Sequence, residues 1–336
     1  MRIERLDLGD DARVRACHNV MIAAQEADDP VWPADPPSVF RAALAEAGRS
    51  RDPVEVWYVP GPDAGSVAGW CHIELPELEN RDRAWVFPTV APDRRRRGIG
   101  RELLRHAAAR VTAHGRLAID SAALTGSAGA AFATAAGATS DLAEARRVLD
   151  VRKASDGEFA RLRVAAAERA SGYRVVTWTG PTPEEYVERT VALRVAMNDA
   201  PHSEGWEDEQ WDADRVRERS DRWLVASGRR GYTVAAQHEA TGELAAFTQI
   251  RIDPANPSWA YQGLTVVTRP HRGHRLGLLV KAAMLEWLAE AEPALERIGT
   301  GNAASNQHMI AVNETLGYEL LETGWTFYEL IAADVR

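Results

Sequence analysis

A chain of 336 residues is long enough for about two domains, each able to bury a core of its own. With 45% hydrophobic and 26% charged residues and only two cysteines, Cys17 and Cys71, it is neither disordered nor fibrous, and neither a disulfide scaffold nor a cysteine-rich zinc module. Its 40 basic against 49 acidic residues, net charge −9, argue against a nucleic-acid partner. No run approaches the ~18–20 apolar residues of a membrane span, and the N-terminal stretch has no apolar signal core, so a cytoplasmic protein with no membrane partner is expected.

In chain order, Ile3–Met21 reads as a short strand followed by a helix, and an acidic, proline-rich stretch, Glu26–Pro37, comes after it. Val54–Val59, Ser66–Leu75 and Ala84–Val90 are rich in β-branched and aromatic residues and are separated by the turns Gly61–Gly65 and Glu77–Asp82; they predict an antiparallel meander. The loop Val90–Gly100 leads into a helix in which Leu103, Leu104, Ala107, Ala108 and Val111 share one face. A short strand, Leu117–Ile119, and a small-residue helix ending at Gly137 follow. Gly157–Ser171 predicts a helical linker. The expected division is an N-terminal domain over 1–152, the linker over 153–172, and a C-terminal domain over 173–336.

The second half repeats the plan. Arg174–Met197 is a strand and a helix, and the acidic segment Asn198–Asp214 follows. Tyr232–His238, Leu244–Ile252 and Trp259–Val267 form a second meander. It runs into the loop Val267–Gly277, a helix with Leu278, Leu279, Ala282, Ala283 and Leu285, a weak strand Arg297–Gly299 and a helix ending at Gly317. The two loops align without a gap, Val267 against Val90 and Gly277 against Gly100.

A strand running into a glycine-containing loop and then a helix N-terminus is an anion site, because free N–H groups and the helix dipole both favour phosphate. Gly98, Gly100, Gly273 and Gly277 stand where a phosphate would approach, with Arg95, Arg96, Arg97 and Arg272 beside them. The P-loop pattern is absent, and the third glycine of a dinucleotide fingerprint is missing. His271 and His274 are three apart but have no further clustered ligands, so no metal is expected.

At these residues the chain resembles the GNAT acetyltransferase superfamily, whose coenzyme A loop reads [Q/R]-x-x-G-x-[G/A]. Arg95-Arg-Arg-Gly98-Ile-Gly100 matches fully, and Arg272-Gly-His-Arg275-Leu-Gly277 matches except that Arg275 replaces the first glycine. The resemblance spans almost the whole chain twice, as in mycothiol synthase-like tandem acetyltransferases. It implies an α+β fold: two tandem GNAT (acyl-CoA N-acyltransferase) folds, each a mixed, mostly antiparallel twisted sheet flanked by helices.

The resemblance also implies acetyl-CoA as co-substrate. Its pyrophosphate would sit on the N–H groups of Arg95, Arg96, Arg97, Gly98, Ile99, Gly100 and Arg101, and of Arg272, Gly273, His274, Arg275, Leu276 and Gly277. The strand ends Val90 and Val267 would meet the thioester or pantetheine arm, and Asn306 and Asn313 would contact the cofactor. Many members carry a tyrosine acid four residues before the glycine that ends the last helix. Here those positions are Ala133 and Asn313. Tyr261 is the one ionisable residue on its strand, with an unperturbed pKa of ~10 that suits an acid. In this family the segment from Asn198 and Asp199 onward forms the acceptor wall, and its acidic and aromatic groups would suit a cationic amine. The implied activity is N-acetyl transfer to a small-molecule amine. The C-terminal domain would be catalytic and the N-terminal one would hold acetyl-CoA for structure, in a monomer with an internal pseudo-dimer or in a homodimer. The alternative is a non-catalytic acyl-CoA-binding or sensing protein.

Overall fold

The computed structural model describes residues 1–47, 52–203, 205–321 and 324–335. In chain order the first elements are β1 (Glu4–Arg5), α1 (Asp11–Asp28), α2 (Pro37–Ala47), β2 (Val54–Pro60), β3 (Val67–Glu74), β4 (Arg83–Val90), α3 (Ile99–Ala113), β5 (Ala118–Leu124), α4 (Ala128–Ala135) and β6 (Thr139–Asp150). They continue as α5 (Glu158–Ala167), β7 (Tyr173–Thr179), α6 (Glu184–Val195), α7 (Ala213–Arg215), α8 (Trp223–Ser227), β8 (Arg230–His238), β9 (Leu244–Asp253), β10 (Asn256–Val267), α9 (Leu276–Ala291), β11 (Arg297–Ala303), α10 (Gln307–Thr315), β12 (Glu319–Leu320) and β13 (Trp325–Ile331). A wide π-helical turn, Val216–Arg222, joins α7 to α8.

Packing divides the chain into two compact units: residues 1–143, 203–207 and 323–336, and residues 144–202 and 208–322. In the N-terminal unit, β2, β3 and β4 form the expected meander, with Val56 opposite His72 and Cys71 opposite Pro88. β5 joins β4 in parallel, and β13 closes the far side antiparallel to β5, from Trp325↔Leu124 to Ile331↔Ala118. One face of this sheet is covered by α1. The Asp10 carboxylate accepts from the Arg13 N–H at its start, and the helix buries Val14, Cys17 and Val20 with Tyr58 and Trp70. The other face is covered by α3, whose Leu103, Leu104, Ala107 and Val111 pack with Ile73, Val86 and Ile119. Its outward residues Arg101 and Arg105 stay exposed.

The C-terminal unit repeats this plan with β8, β9 and β10, then β11 parallel to β10. Residues 144–150 of β6 pair antiparallel with β11 along its length. On one face α6 packs Leu193 with Phe247 and Ala235. On the other, α9 is buried on nearly all sides, because α5 lies over its outer surface with Ala166 and Ala170 in the same core. That explains why α9 reads as more apolar than its counterpart α3: its solvent face is confined to the last turns, with Glu286 and Glu290.

The last strands depart from sequence order. Residues 144–152 pack with the C-terminal unit, and 323–336 with the N-terminal one. Local pattern marks these strands only as far as Ile119 and Gly299 and shows neither β6 nor β13, nor α2. The strands β5 and β11 run on to Leu124 and Ala303 because each has an antiparallel neighbour supplied from far along the chain.

Candidate functional site

Each sheet opens at one place. β4 and β5 pair only at Arg83↔Ala118, Ala84↔Ile119 and Trp85↔Asp120. β10 and β11 pair only at Trp259↔Arg297, Ala260↔Ile298 and Tyr261↔Gly299. Beyond those pairs the parallel strands part, while β4 and β10 remain bonded to β3 and β9 on their other side. The edges of Val86–Val90 and Gln262–Val267 therefore offer backbone donors and acceptors to a gap.

The two arginine-glycine loops sit at the ends of these edges and share one backbone. Each turns through the left-handed region twice, at Arg96 (φ 63°) and Gly98 (φ 81°), and at Gly273 (φ 88°) and Arg275 (φ 54°). Each loop thus has one glycine and one arginine at these positions, in opposite order. Arg275, the departure from the motif, keeps the geometry that Gly98 has, at the small cost of a non-glycine residue there. A Cβ added at Gly98 or Gly273 would meet nothing within 4 Å, so both loops face open space.

The leading arginine braces the loop in both copies. Arg95 donates to the Val90 carbonyl (3.4 Å) and forms two 2.7 Å bonds to Asp28. Arg272 donates to the Val267 carbonyl (3.2 Å) and to Asp199 (2.6 Å), whose other oxygen takes Arg269 (2.5 Å). Arg269 and Arg272 hold the Asp199 carboxyl below the usual range. The carbonyls of Val90 and Val267 are thereby engaged, and Asp199 sits in the loop brace. Asn198 is tied to the backbone of Glu209 in both directions. Ile99 and Leu276 bury their side chains in the cores and offer the site only their N–H groups. Arg96, Arg97, Arg101, His274 and Arg275 are exposed. The first N–H groups of α3 and α9 lack helical acceptors, and with the dipole they make two anion cradles. These cradles fit a coenzyme A pyrophosphate.

Two stretches, residues 18–128 and 194–318, match the acetyltransferase (GNAT) family. The chain belongs to the GNAT family, and it carries the fold in two tandem copies. A tandem GNAT protein from the clavulanic acid biosynthesis pathway is 31% identical, with 98% of each chain covered and a TM-score of 0.79. A GCN5-related N-acetyltransferase from Sphaerobacter thermophilus shares the fold at 16% identity, covering 98% of this chain and 95% of its own, with a TM-score of 0.64. A GNAT-family acetyltransferase from Colwellia psychrerythraea does so at 13% identity, 98% and 100% coverage, and a TM-score of 0.57. Among curated proteins none matches. Among the described residues no helix is long and apolar enough to cross a membrane.

The two GNAT copies differ where the strands part. The β3–β4 ladder runs without a break from Trp85 to Val90. The β9–β10 ladder shifts register between Gln262 and Thr265. At that bulge the Gln262 side chain bonds the Gln249 carbonyl at 2.8 Å. A bulge turns backbone groups out of the ladder, here at Gly263 and Leu264, beside the gap. A Cβ at Gly263 would lie 3.2 Å from Arg251 Nη2 and 3.4 Å from the Gln249 oxygen, so glycine admits the close approach.

At the position of the family's tyrosine, Asn313 is fully buried. Its Nδ2 donates to Asn302 Oδ1 (2.7 Å), and its Oδ1 accepts from Lys281 Nζ (2.7 Å). Lys281 also lies over the Tyr318 ring at 4.6 Å. Asn306 caps α10, accepting from the Met309 N–H at 3.2 Å. Tyr261 is half-buried under the Arg229 guanidinium, 4.6 Å from its ring centroid.

Lys281, not among the residues expected at the site, is one of only two lysines in the chain. The signal was there: the one charge in the otherwise apolar stretch Leu276–Leu285 of α9. Burial pushes its ammonium down to about 7. Unfolded, it would titrate near ~10.4. Between those values the unfolded chain binds the additional proton, so stability rises with pH across that window, by at most about 1.4 kcal/mol per pH unit from this group. Below it both states are protonated and the term is flat. Lys281→Met is expected to flatten the rise, measured by urea unfolding at several pH values across the window.

On the α6 side of the C-terminal unit, β8, β9, α6 and the wide turn enclose a cavity of ≈ 220 Å³. Arg194, Arg219, Arg251, Glu209, Trp211 and Trp223 are on its wall. Arg194 is nine-tenths buried (8% exposed) and lies over Trp211 and Phe247, at 5.1 and 5.7 Å. Burial, and then Arg251, lower it to about 10, which leaves it cationic at neutral pH. Arg251 lies over Trp223 at 4.9 Å. Three carboxylates of the acidic segment have partners within the unit. Asp199 braces the loop, Asp212 caps α7 through the Arg215 N–H, and Glu209 accepts from Trp211 Nε1. Glu204, in the same segment, lies outside the described residues. In the N-terminal unit the corresponding face is aromatic. Trp85 stacks with Phe87 and meets Trp206 and Phe327 edge-on, and Arg83 is neutralised by Asp120 and Glu329.

Proposed function

We propose that this GNAT protein is an acetyl-CoA-dependent N-acetyltransferase acting on a small-molecule amine, with chemistry in the C-terminal unit and acetyl-CoA held for structure in the N-terminal unit. The observation that carries the reading is the bulge at Gln262–Thr265, present beside the β10–β11 gap and absent from β4. Backbone donors turned toward the gap would stabilise the oxyanion as the amine attacks the thioester carbonyl. The C–N bond forms, the C–S bond breaks, and the amine's proton leaves to solvent or to the thiolate. A thiolate of pKa near ~8.5 is a good enough leaving group to depart without a tyrosine acid. Cofactor contacts in this reading are the N–H groups at 96–101 and 273–278, with Arg96, Arg97, Arg101 and Arg275 reaching the phosphates.

Asn313, which is buried, and Ala133, which has no polar side chain, favour the second reading, a non-catalytic acyl-CoA-binding protein, because neither position offers a proton donor to the gap. Titration with acetyl-CoA followed by thiol release over an amine panel separates the two. Binding with turnover supports the enzyme, binding without turnover on any amine supports the binder, and absence of binding removes both.

A further inference from the structure

A carboxylate stands beside the gap between β10 and β11. Residues 144–150 of β6 pair with β11 and set Glu144 opposite Ala303, Arg146 opposite Gly301. Side chains alternate along both strands. Leu149 and Ile298 face the core that holds α9, so Glu144, Arg146, Gly299 and Gly301 face the other side of the sheet. The two glycines leave the backbone bare on that face, and Gly301 is two residues past the last β10–β11 pair. Glu144 leans over it: a Cβ at Gly301 would lie 3.0 Å from Glu144 Oε2. Glu144 is half-buried, yet among the described residues its carboxylate makes no hydrogen bond and no ion pair. Holding a carboxylate partly out of water without a partner is costly, and such groups gather where chemistry is done. Tyr261 on β10 and Arg251 on β9 stand across the gap on the same face, because their neighbours Ala260, Ile250 and Ile252 face the α9 core. At the matching register the N-terminal unit has Trp325, opposite Leu124, and the Asp120 carboxylate on β5 is taken by Arg83 at 2.9 Å.

We infer that Glu144 is the general base of the transfer, taking the proton of the acceptor amine as the amine attacks a thioester carbonyl held in the gap. The inference rests on the C-terminal unit being the catalytic one. As the C–N bond forms, the nitrogen gains positive charge and one N–H proton passes to the Glu144 carboxylate. The C–S bond then breaks with its electron pair on sulfur, and the thiolate takes that proton or one from solvent. The reach is short: β6 and β11 are one strand spacing apart, ~4.8 Å, and the carboxylate already lies over the strand that borders the gap. Burial, with no charged neighbour contributing, pushes its carboxyl above the usual carboxylate range, toward the pH at which a base works best.

The test uses the full chain and whichever amine of the panel turns over fastest. Glu144→Gln is expected to lower kcat at least ~10²-fold, as the loss of a general base does, while calorimetry shows acetyl-CoA binding unchanged. The base works only when ionised, so native kcat is expected to fall as the pH drops through the titration of Glu144. That acid limb is expected to persist in Glu144→Asp and to vanish in Glu144→Gln. If Glu144→Gln fails to fold, Gly301→Ala decides, because its methyl group must push the carboxylate aside. Its kcat is expected to fall about tenfold with acetyl-CoA binding intact, and a native kcat there overturns the base. A kcat within about threefold of native in Glu144→Gln, or an acid limb that survives in it, overturns the base and leaves the transferase standing. Absence of turnover by the native chain on every amine removes the transferase reading and the base with it.

Discussion

Gly277→Asp is expected to lower kcat/KM for acetyl-CoA by about 10²-fold or more, while Gly100→Asp leaves turnover within a few-fold and removes one of two acetyl-CoA sites. The physics is the same at both positions. An aspartate in the first turn of a helix places a carboxylate where the phosphate must bind, displacing charge-assisted N–H contacts of roughly 1.5–3 kcal/mol each. Both backbones tolerate the side chain. A Cβ at Gly277 would come within 3.8 Å of Val267 Cγ2, and one at Gly100 within 3.5 Å of the Phe132 ring, both ordinary contacts. A carboxylate at a helix N-terminus is itself compatible with the dipole. The asymmetry comes from the bulge, which only β10 carries. Steady-state kinetics and binding stoichiometry for the two variants check it. Loss of turnover in Gly100→Asp alone would place the chemistry in the N-terminal unit.

Ending the chain at Leu321 is expected to unfold the N-terminal unit while the C-terminal unit keeps its sheet. The deletion removes β13, and with it the antiparallel partner of β5 from Ala118 to Leu124. It also removes Leu330 and Ala332 from the core under α3 and the packing of Val335 against it. Losing one buried leucine alone costs about 2–5 kcal/mol, and an exposed strand edge adds unsatisfied ladder groups to that. Together these approach the whole stability of a domain, ~5–15 kcal/mol. Hydrogen exchange read by mass spectrometry should show protection lost across β2–β5 and α3 and retained in β8–β11. A milder version, Leu330→Asp, should lower the unfolding midpoint of the same unit. Full protection of β5 in the truncated chain would show that β13 is dispensable.

Much of the plan is legible along the chain. The two meanders, the loops, the helices after them and the duplication all follow from local patterns: alternation in strands, the 3.6-residue period in helices, and glycine where φ is positive. The place of each loop between a strand and a helix could be anticipated in both copies. That Arg275 keeps the left-handed backbone of Gly98, and the roles of the loop arginines, could not. Whether Arg95 and Arg272 face a phosphate or brace the loop depends on Asp28 and Asp199, which the fold brings in from the end of another helix. Asn313 was legible as the family's acid position but not as a buried partner of Lys281. Arg194 had a signal, since it follows Leu193 on the buried stripe of α6 with Val187 and Thr190, and an arginine on such a stripe asks what it is for.

Along the chain alone it is legible that one strand–loop–helix plan is written twice, because that statement needs only periodicity, glycine placement and a repeated loop. Tertiary structure decided three things that depend on distance between remote residues. It assigned the closing strands, since β5 and β11 need neighbours that local pattern cannot name. It made the copies unequal through one register shift, which is a property of a pair of strands and not of either alone. And it set Asp199, from the acidic segment, against Arg269 and Arg272 in the loop brace. Charge along a segment says only what is present, whereas packing determines which charges are already neutralised.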